Sequence, residues 1–330
     1  NNAIAVVDLK TEKIEDILPL GFKSWGNYKM DKEISRFPLH LRLKRNKQYI
    51  TLNDNSRTCE TLKNSPYVIG INMRPWPVFG MYQPDSIHTI EVAGESYLVT
   101  ANEGDSKDYS AFGGFNEEAR VKDSTYSDVP AILHYIYIAG RLKITNTYGR
   151  NANGTYDALY SFGGRGFSIW NLATMDRIYD SGSQFDELYQ QYIRILFNNN
   201  AERGMDIVNQ TFDTRSDDKG PQCESLAVAH IGNQVVIFVG NERPGSIFIY
   251  KIDGKVSQPE FQSIWTGTGI EETDATWEAL YDQRKISEID PKDIRYIPAN
   301  HSPTNKHLLV VAGTVSGTLS VFRINGVRKS

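Results

Sequence analysis

The sequence predicts an all-β fold, and within that class a β-propeller to which residues 1–330 contribute about five four-stranded blades. Three observations carry the prediction. Short runs rich in Val, Ile, Tyr and Phe recur along the chain, bounded by Gly, Asn, Asp or Pro. A hairpin-plus-strand unit repeats with its acidic residues in register. The composition, 11% aromatic with 26 glycines in 330 residues, suits many short strands joined by tight turns.

The strand-like runs are Tyr97–Thr100, Ile132–Ile138, Phe167–Trp170, Val235–Val239, Ile247–Tyr250, Leu308–Ala312 and Leu319–Phe322. One segment breaks the period of two. Phe185, Leu188, Tyr189, Tyr192, Ile193 and Leu196 fall at helical spacing, and Ser183 with Asp186 has the form of a capping box. A surface helix joining two β units is expected within 183–200.

In the repeat, Asp85-Ser86-Ile87 leads through a turn at Gly94 to Ala101-Asn102-Glu103. Glu224-Ser225-Leu226 leads through Gly232-Asn233 to Gly240-Asn241-Glu242, over the same separation. A third unit runs from Asp293-Ile294-Arg295 through a longer loop to Ala312-Gly313-Thr314. Radial repetition of such units gives blades. A β-sandwich is the competing architecture, and the shared register favours blades.

The start of a hairpin's first strand lies beside the end of its second. Asp85 is therefore expected near Glu103, and Glu224 near Glu242, at the same open end. Carboxylates that close repel unless a cation, a basic side chain or a shared proton stands between them. Calcium accepts irregular sets of oxygen ligands. Asp85, Glu103, Glu224 and Glu242 are thus the expected calcium ligands, with Asp105, Asp108 and Asp217 from the oxygen-rich loops 103–108 and 213–220 completing the shell. In the rival reading Arg243, Arg165 and Lys219 neutralise the acids and leave a salt-bridge network. The basic run Arg42, Lys44, Arg45 and Lys47 reads as the wet face of a strand, with a polyanion-binding patch as its alternative.

A net charge of −4 with both signs mixed gives no electrostatic case for nucleic acid, and it excludes the extremely acidic type of mineral-binding chain. No window approaches 18 consecutive apolar residues, so no transmembrane segment is expected. The chain starts at Asn1 inside what reads as a strand. A segment preceding Asn1, or other copies of the chain, is therefore expected to complete the ring. There is no Gly-x-Ser-x-Gly elbow, His-Glu-x-x-His, P-loop or Cys-x-x-Cys, and the six histidines do not pair at ligand spacing. No catalytic residue is assigned.

Several of these residues resemble the mesenchyme-specific cell-surface glycoprotein family and its choice-of-anchor secreted relatives. They include Gly80-Met81-Tyr82-Gln83-Pro84-Asp85, Ala101-Asn102-Glu103-Gly104-Asp105-Ser106-Lys107-Asp108-Tyr109 and Ser161-Phe162-Gly163-Gly164-Arg165-Gly166. Arg215-Ser216-Asp217-Asp218-Lys219-Gly220-Pro221, Gly240-Asn241-Glu242-Arg243 and Ala312-Gly313-Thr314 continue the match in order to the last strand. The resemblance implies a secreted or surface-anchored propeller glycoprotein, in an extracellular matrix or at a mineral surface. Some relatives are labelled alkaline phosphatase-like, so a phosphoester or lactone hydrolase stands as an alternative, beside a glycan- or protein-binding module. The stretch 30–72 departs from the family and reads as a divergent insertion. Where the family tends to have Pro-Glu-Pro-Glu-Gly-Leu, this chain has Pro221-Gln222-Cys223-Glu224-Ser225-Leu226.

A secreted setting also directs attention to modification sites. Asn153, Asn209 and Asn300 head acceptor sequons, the last weakened by Pro303. The two cysteines, Cys59 and Cys223, are expected to be oxidised, either to one another or to a segment outside this chain.

Overall fold

A computed structural model describes residues 2–31, 71, 73–124, 139–266, 273–286 and 288–325, with the backbone of 42–45 and 48–51. The hairpin β1 (Ala3–Asp8) and β2 (Lys13–Pro19) comes first, then β3 (Phe22–Ser24) and the hairpin β4 (Arg42–Arg45) and β5 (Gln48–Thr51). They are followed by β6 (Phe79–Met81), β7 (Ser86–Val92), β8 (Glu95–Asn102), β9 (Glu118–Arg120), β10 (Lys143–Thr145), β11 (Tyr160–Ser161), β12 (Gly166–Asn171) and β13 (Arg177–Asp180). Helices α1 (Gln184–Tyr192) and α2 (Val208–Thr211) lead to β14 (Cys223–Ile231), β15 (Gln234–Asn241), β16 (Ser246–Ile252) and β17 (Glu260–Trp265). After α3 (Trp277–Asp282) come β18 (Pro291–Ile297), β19 (Leu308–Gly313) and β20 (Thr318–Arg323).

The fold is all-β, but the expected β-propeller of about five blades is corrected by the strand order. The described strands form separate, open sheets: β13-β12-β8-β7, β14-β15-β16-β17, β18-β19-β20, β3-β6-β11-β10-β9 and two hairpins. None closes on itself, and the described residues do not supply five like blades. The hairpin repeat gave too simple a picture because only β14–β17 is a sequential four-stranded meander. The β7–β8 hairpin takes its third strand, β12, from beyond β9–β11. β6 pairs with β11 in parallel, which a chain of hairpins cannot produce.

The sequence runs otherwise lie inside strands, except Ile132–Ile138, which is outside the described residues. The 30–72 stretch is spanned at its ends by a bridge between Met30 and Arg74, and the basic run supplies β4. The helix expected within 183–200 forms over Gln184–Tyr192, with one face buried and Gln190, Gln191 and Tyr192 exposed. Phe185 and Tyr189 of α1 are fully buried, as are Leu196 and Phe197 just after it. The capping box does not form, because Ser183 Oγ accepts from the Lys29 backbone N–H instead. No helix among the described residues is long and apolar enough to cross a membrane.

What positions the site is the way three sheets meet. Alternate residues of β14 and β15 enter different cores, as the strand period of two requires. Leu226, Val228, Ile237 and Val239 join the larger core with Phe167, Phe185 and Phe248. Ala227, Ala229, Val236 and Phe238 join Ile294, Leu309 and Val311. The small Ala227 and Ala229 let β18 pack closely, while β14 also touches β7 and β8. The first strands of three hairpins, β7, β14 and β18, are thereby gathered together.

Candidate functional site

Each gathered strand is entered through the same local device. Gln83 (φ 44°), Gln222 (φ 45°) and Asp290 (φ 62°) occupy the left-handed region, which non-glycine residues seldom adopt. Two residues on stand Asp85, Glu224 and Lys292. The register slips between Cys223 and Ser225 and between Pro291 and Asp293, so Glu224 and Lys292 are bulged residues aimed away from the ladder. The third unit's counterpart of Asp85 and Glu224 is therefore Lys292, not Asp293. Asp293 is exposed beside Arg295.

These strand starts open onto a pocket of about 590 Å³ whose lining includes Asp85, Glu103, Asp105, Asp108, Glu224 and Glu242. Asp217 is elsewhere: its buried carboxylate is held by Arg120 and Arg141, each at 2.9 Å. Glu103 is fixed by a close backbone crossing at Gly104 (φ 100°), where a Cβ would stand 2.2 Å from the Gly163 nitrogen. Only glycine fits there.

The rival neutralising network is present in part. Lys219 donates to Glu103 (2.6 Å) and Asp105 (3.0 Å). Arg243 faces Glu242 (2.8 Å) and Asp290 (3.5 Å). Gln222 Nε2 donates to both Glu103 (3.0 Å) and Glu242 (2.5 Å), which ties the two hairpins together. Arg165 takes no part. It is buried, donating to the carbonyls of Asp31, Ser216 and Asp218.

The compensation is incomplete, since nine acidic residues line the pocket against five basic ones. Burial pushes Glu224 up to about 8, against the bond from Lys292 and with the Glu242 charge adding to the rise. Burial and the Glu242 charge push Asp290 to about 6, opposed by Arg243. Asp85 is raised by burial and then by Glu103. Burial works against the Lys292 ammonium, yet its bond to Glu224 and the charges of Glu242, Glu224 and Asp290 prevail and raise it. Asp108 at the rim is held low by its bonds from Ser110.

Gln222 and Lys292 line this pocket and Asp290 lies beside it against Arg243; none of the three figures in the expected ligand set. Their signal is the match of Asp290-Pro291-Lys292 to Gln83-Pro84-Asp85, visible once the prolines are aligned.

Asn153 is exposed at a turn, its backbone N–H donating to Asn151 Oδ1. Asn209 is exposed too, but its amide donates to Asp274 (3.2 Å) and accepts from the Thr273 N–H (2.9 Å). Asn300 is exposed in a short 3-10 turn. Cys223 is not an exposed loop thiol: it is fully buried at the start of β14, free, and donates to Asn241 Oδ1. Its expected partner Cys59 lies outside the described residues.

Residues 1–255 match the family model of the choice-of-anchor I domain. Gigasin-3a of Magallana gigas is 43% identical over 199 residues, covering 60% of this chain and 69% of that protein. The mesenchyme-specific cell surface glycoprotein of Strongylocentrotus purpuratus is 26% identical over 304 residues, covering 83% of this chain and 34% of that protein. This chain therefore corresponds to about a third of the sea-urchin protein. Asp85, Glu103, Glu224 and Glu242 fall inside the family match, and Asp290 and Lys292 beyond it.

Proposed function

The chain belongs to the choice-of-anchor I domain family, and we propose that it is an extracellular, surface-associated glycoprotein domain that takes up calcium in the acidic pocket. The relative named as a cell surface glycoprotein supports the location. One observation carries the chemistry: acid pairs from two hairpins share one pocket, whose acidic residues outnumber its basic ones. Carboxylate oxygens are the ligands calcium prefers, and an irregular cage drawn from several strands suits it. A calcium-dependent role in matrix or surface assembly follows from that reading.

Calcium titration of the intact chain, followed by calorimetry and by melting temperature, tests it. A Kd of about 0.1–1 mM is expected, the range of extracellular modules. A calcium excess of a hundredfold over Kd should stabilise the fold by about 2.7 kcal/mol. Glu242→Gln should weaken binding about tenfold, since a charged ligand is lost. No heat and no rise in melting temperature at saturating calcium would overturn the reading.

The glycoprotein part has its own check. Asn153 carries the glycan in this reading, because its side chain is exposed at a turn while Asn209 is tied to Asp274. Peptide mapping of the secreted protein should find Asn153 occupied to a greater extent than Asn209, and a bare Asn153 would contradict it.

A further inference from the structure

We propose, resting on the reading of the pocket as a calcium site, that Glu224, Glu242 and Asp290 form the cation seat and that the Lys292 ammonium is its exchangeable counter-ion. One carboxylate oxygen from each acid lies within 4.8 Å of the other two. Two oxygens on opposite sides of one calcium stand about 4.6–5.2 Å apart, twice the ordinary bond length. One ion therefore reaches all three.

Acidic clusters are common without a ligand, but two further observations point to one here. Glu224 Oε2 and Asp290 Oδ1 are closed off from solvent and have no hydrogen-bond partner among the described residues, and both residues are only 3% exposed. Buried carboxylate oxygens in that condition are costly, and a cation satisfies them. The protein also places a cation of its own at the edge of the seat. Lys292 pairs with Glu224 Oε1 and lies 3.6 Å from Glu242 Oε1. It does so from the position, two residues after a left-handed residue, at which the other two hairpins present Asp85 and Glu224.

Lys292 is the member able to leave. Its side chain is 49% exposed, whereas those of Glu224 and Glu242 are 4% and 9%. A flexible stem lets the ammonium exchange carboxylate for water with little other change. Once all three carboxylates are ionised, Arg243 and Lys292 leave them one negative charge. Facing Arg243 and a dication, they are neutral. A dication on these oxygens repels the ammonium at short range, and Lys292 swings outward. Calcium suits the seat better than magnesium, which demands near-ideal octahedral geometry and gives up water reluctantly.

The test is calorimetric titration of calcium chloride, with magnesium chloride as the comparison, into the intact wild-type chain and three variants at one pH and salt concentration. Lys292→Met should tighten calcium binding about tenfold, because the internal competitor is gone. Lys219→Met removes an equal charge from the Glu103 side of the pocket, and its effect should be several-fold smaller, as expected for a more distant charge. Asp290→Asn should weaken binding about tenfold. Melting curves confirm that each variant is folded, and Lys292→Gln replaces Lys292→Met should that variant fail to fold. Equal or weaker binding by the Lys292 variant, an effect no larger than that of Lys219→Met, or no change in Asp290→Asn overturns the seat while the calcium pocket stands. Failure of every protein to bind calcium, Lys292→Met included, removes the calcium reading as well.

Discussion

Replacing Lys23 by methionine is expected to destabilise the protein by about 3–5 kcal/mol, the usual result of removing one partner from a buried charge pair. Lys23 is among the most deeply buried side chains in the structure, 1% exposed. Its ammonium donates to the carbonyls of Gly164 (2.6 Å) and Gly182 (2.8 Å) and pairs with Asp180 at 3.1 Å. It also lies 4.4 Å from the Trp25 ring centroid and 5.0 Å from that of Tyr28. Burial pulls the Lys23 ammonium down, and Asp180 opposes that pull. Methionine fills much of the same volume but leaves two carbonyls without a donor and Asp180 without its main counter-charge. Asp180 keeps bonds from the Tyr82 hydroxyl (2.8 Å) and the Gly182 N–H (2.7 Å), so the loss stays short of that for a wholly orphaned carboxylate. Chemical denaturation of Lys23→Met, Asp180→Asn and the double variant measures the coupling. The double variant should be less destabilised than the sum of the singles. Additive losses, or a loss below about 1 kcal/mol in Lys23→Met, would show that the pair does not hold β3 to the turns at Gly164 and Gly182.

The strand elements were legible because each apolar run ends at a turn residue. β15 and β16 read directly from Val235–Val239 and Ile247–Tyr250. Sheet order was not legible in the same way, since it depends on partners far apart in sequence. Nothing in Gly166–Asn171 announces that it pairs with β8, nor in Tyr160–Ser161 that it lies parallel to β6. A periodic hairpin signal therefore named local units correctly and overstated their regular assembly. The helix illustrates the same limit. The spacing of Phe185 and Tyr189 fixed its helicity, while its burial depends on Phe248 and Tyr250 of a distant sheet.

The pocket was more accessible to sequence reasoning because a hairpin's open end is a local property. Equal spacing from Asp85 to Glu103 and from Glu224 to Glu242 placed each pair at its hairpin's open end, and the packing of β14 against β7 and β8 brings the two pairs into one pocket. Bulges set the remainder. A one-residue slip reverses which side chain leaves the ladder, so Lys292 stands where Asp293 was expected. Asp217 shows the opposite failure: an acid in an oxygen-rich loop whose arginine partners, Arg120 and Arg141, come from β9 and the approach to β10.

Truncating Phe185 to alanine should cost about 3–5 kcal/mol, because the ring fills a core that three elements share. Phe185 is fully buried at the start of α1. It stacks on Phe248 with centroids 4.3 Å apart and an interplanar angle of 18°, and meets Tyr250 at 6.0 Å and Phe167 at 6.3 Å. Phe248 and Tyr250 belong to β16 and Phe167 to β12, so one side chain bridges two sheets and the helix between them. Neighbouring rings cannot collapse into the space without leaving their own strands, which places the loss toward the upper part of the range for a large core residue. Phe185→Leu, which keeps most of the volume, should recover more than half of it. The carboxylates of the pocket are carried by strand starts and bulges, not by this ring. Calcium affinity measured well below the melting temperature should accordingly change far less in Phe185→Ala than in Glu242→Gln. A large loss of calcium binding in a folded Phe185→Ala protein would mean that the two sheets are not set relative to each other by β7, β14 and β18 alone, and that α1 helps to hold the pocket open.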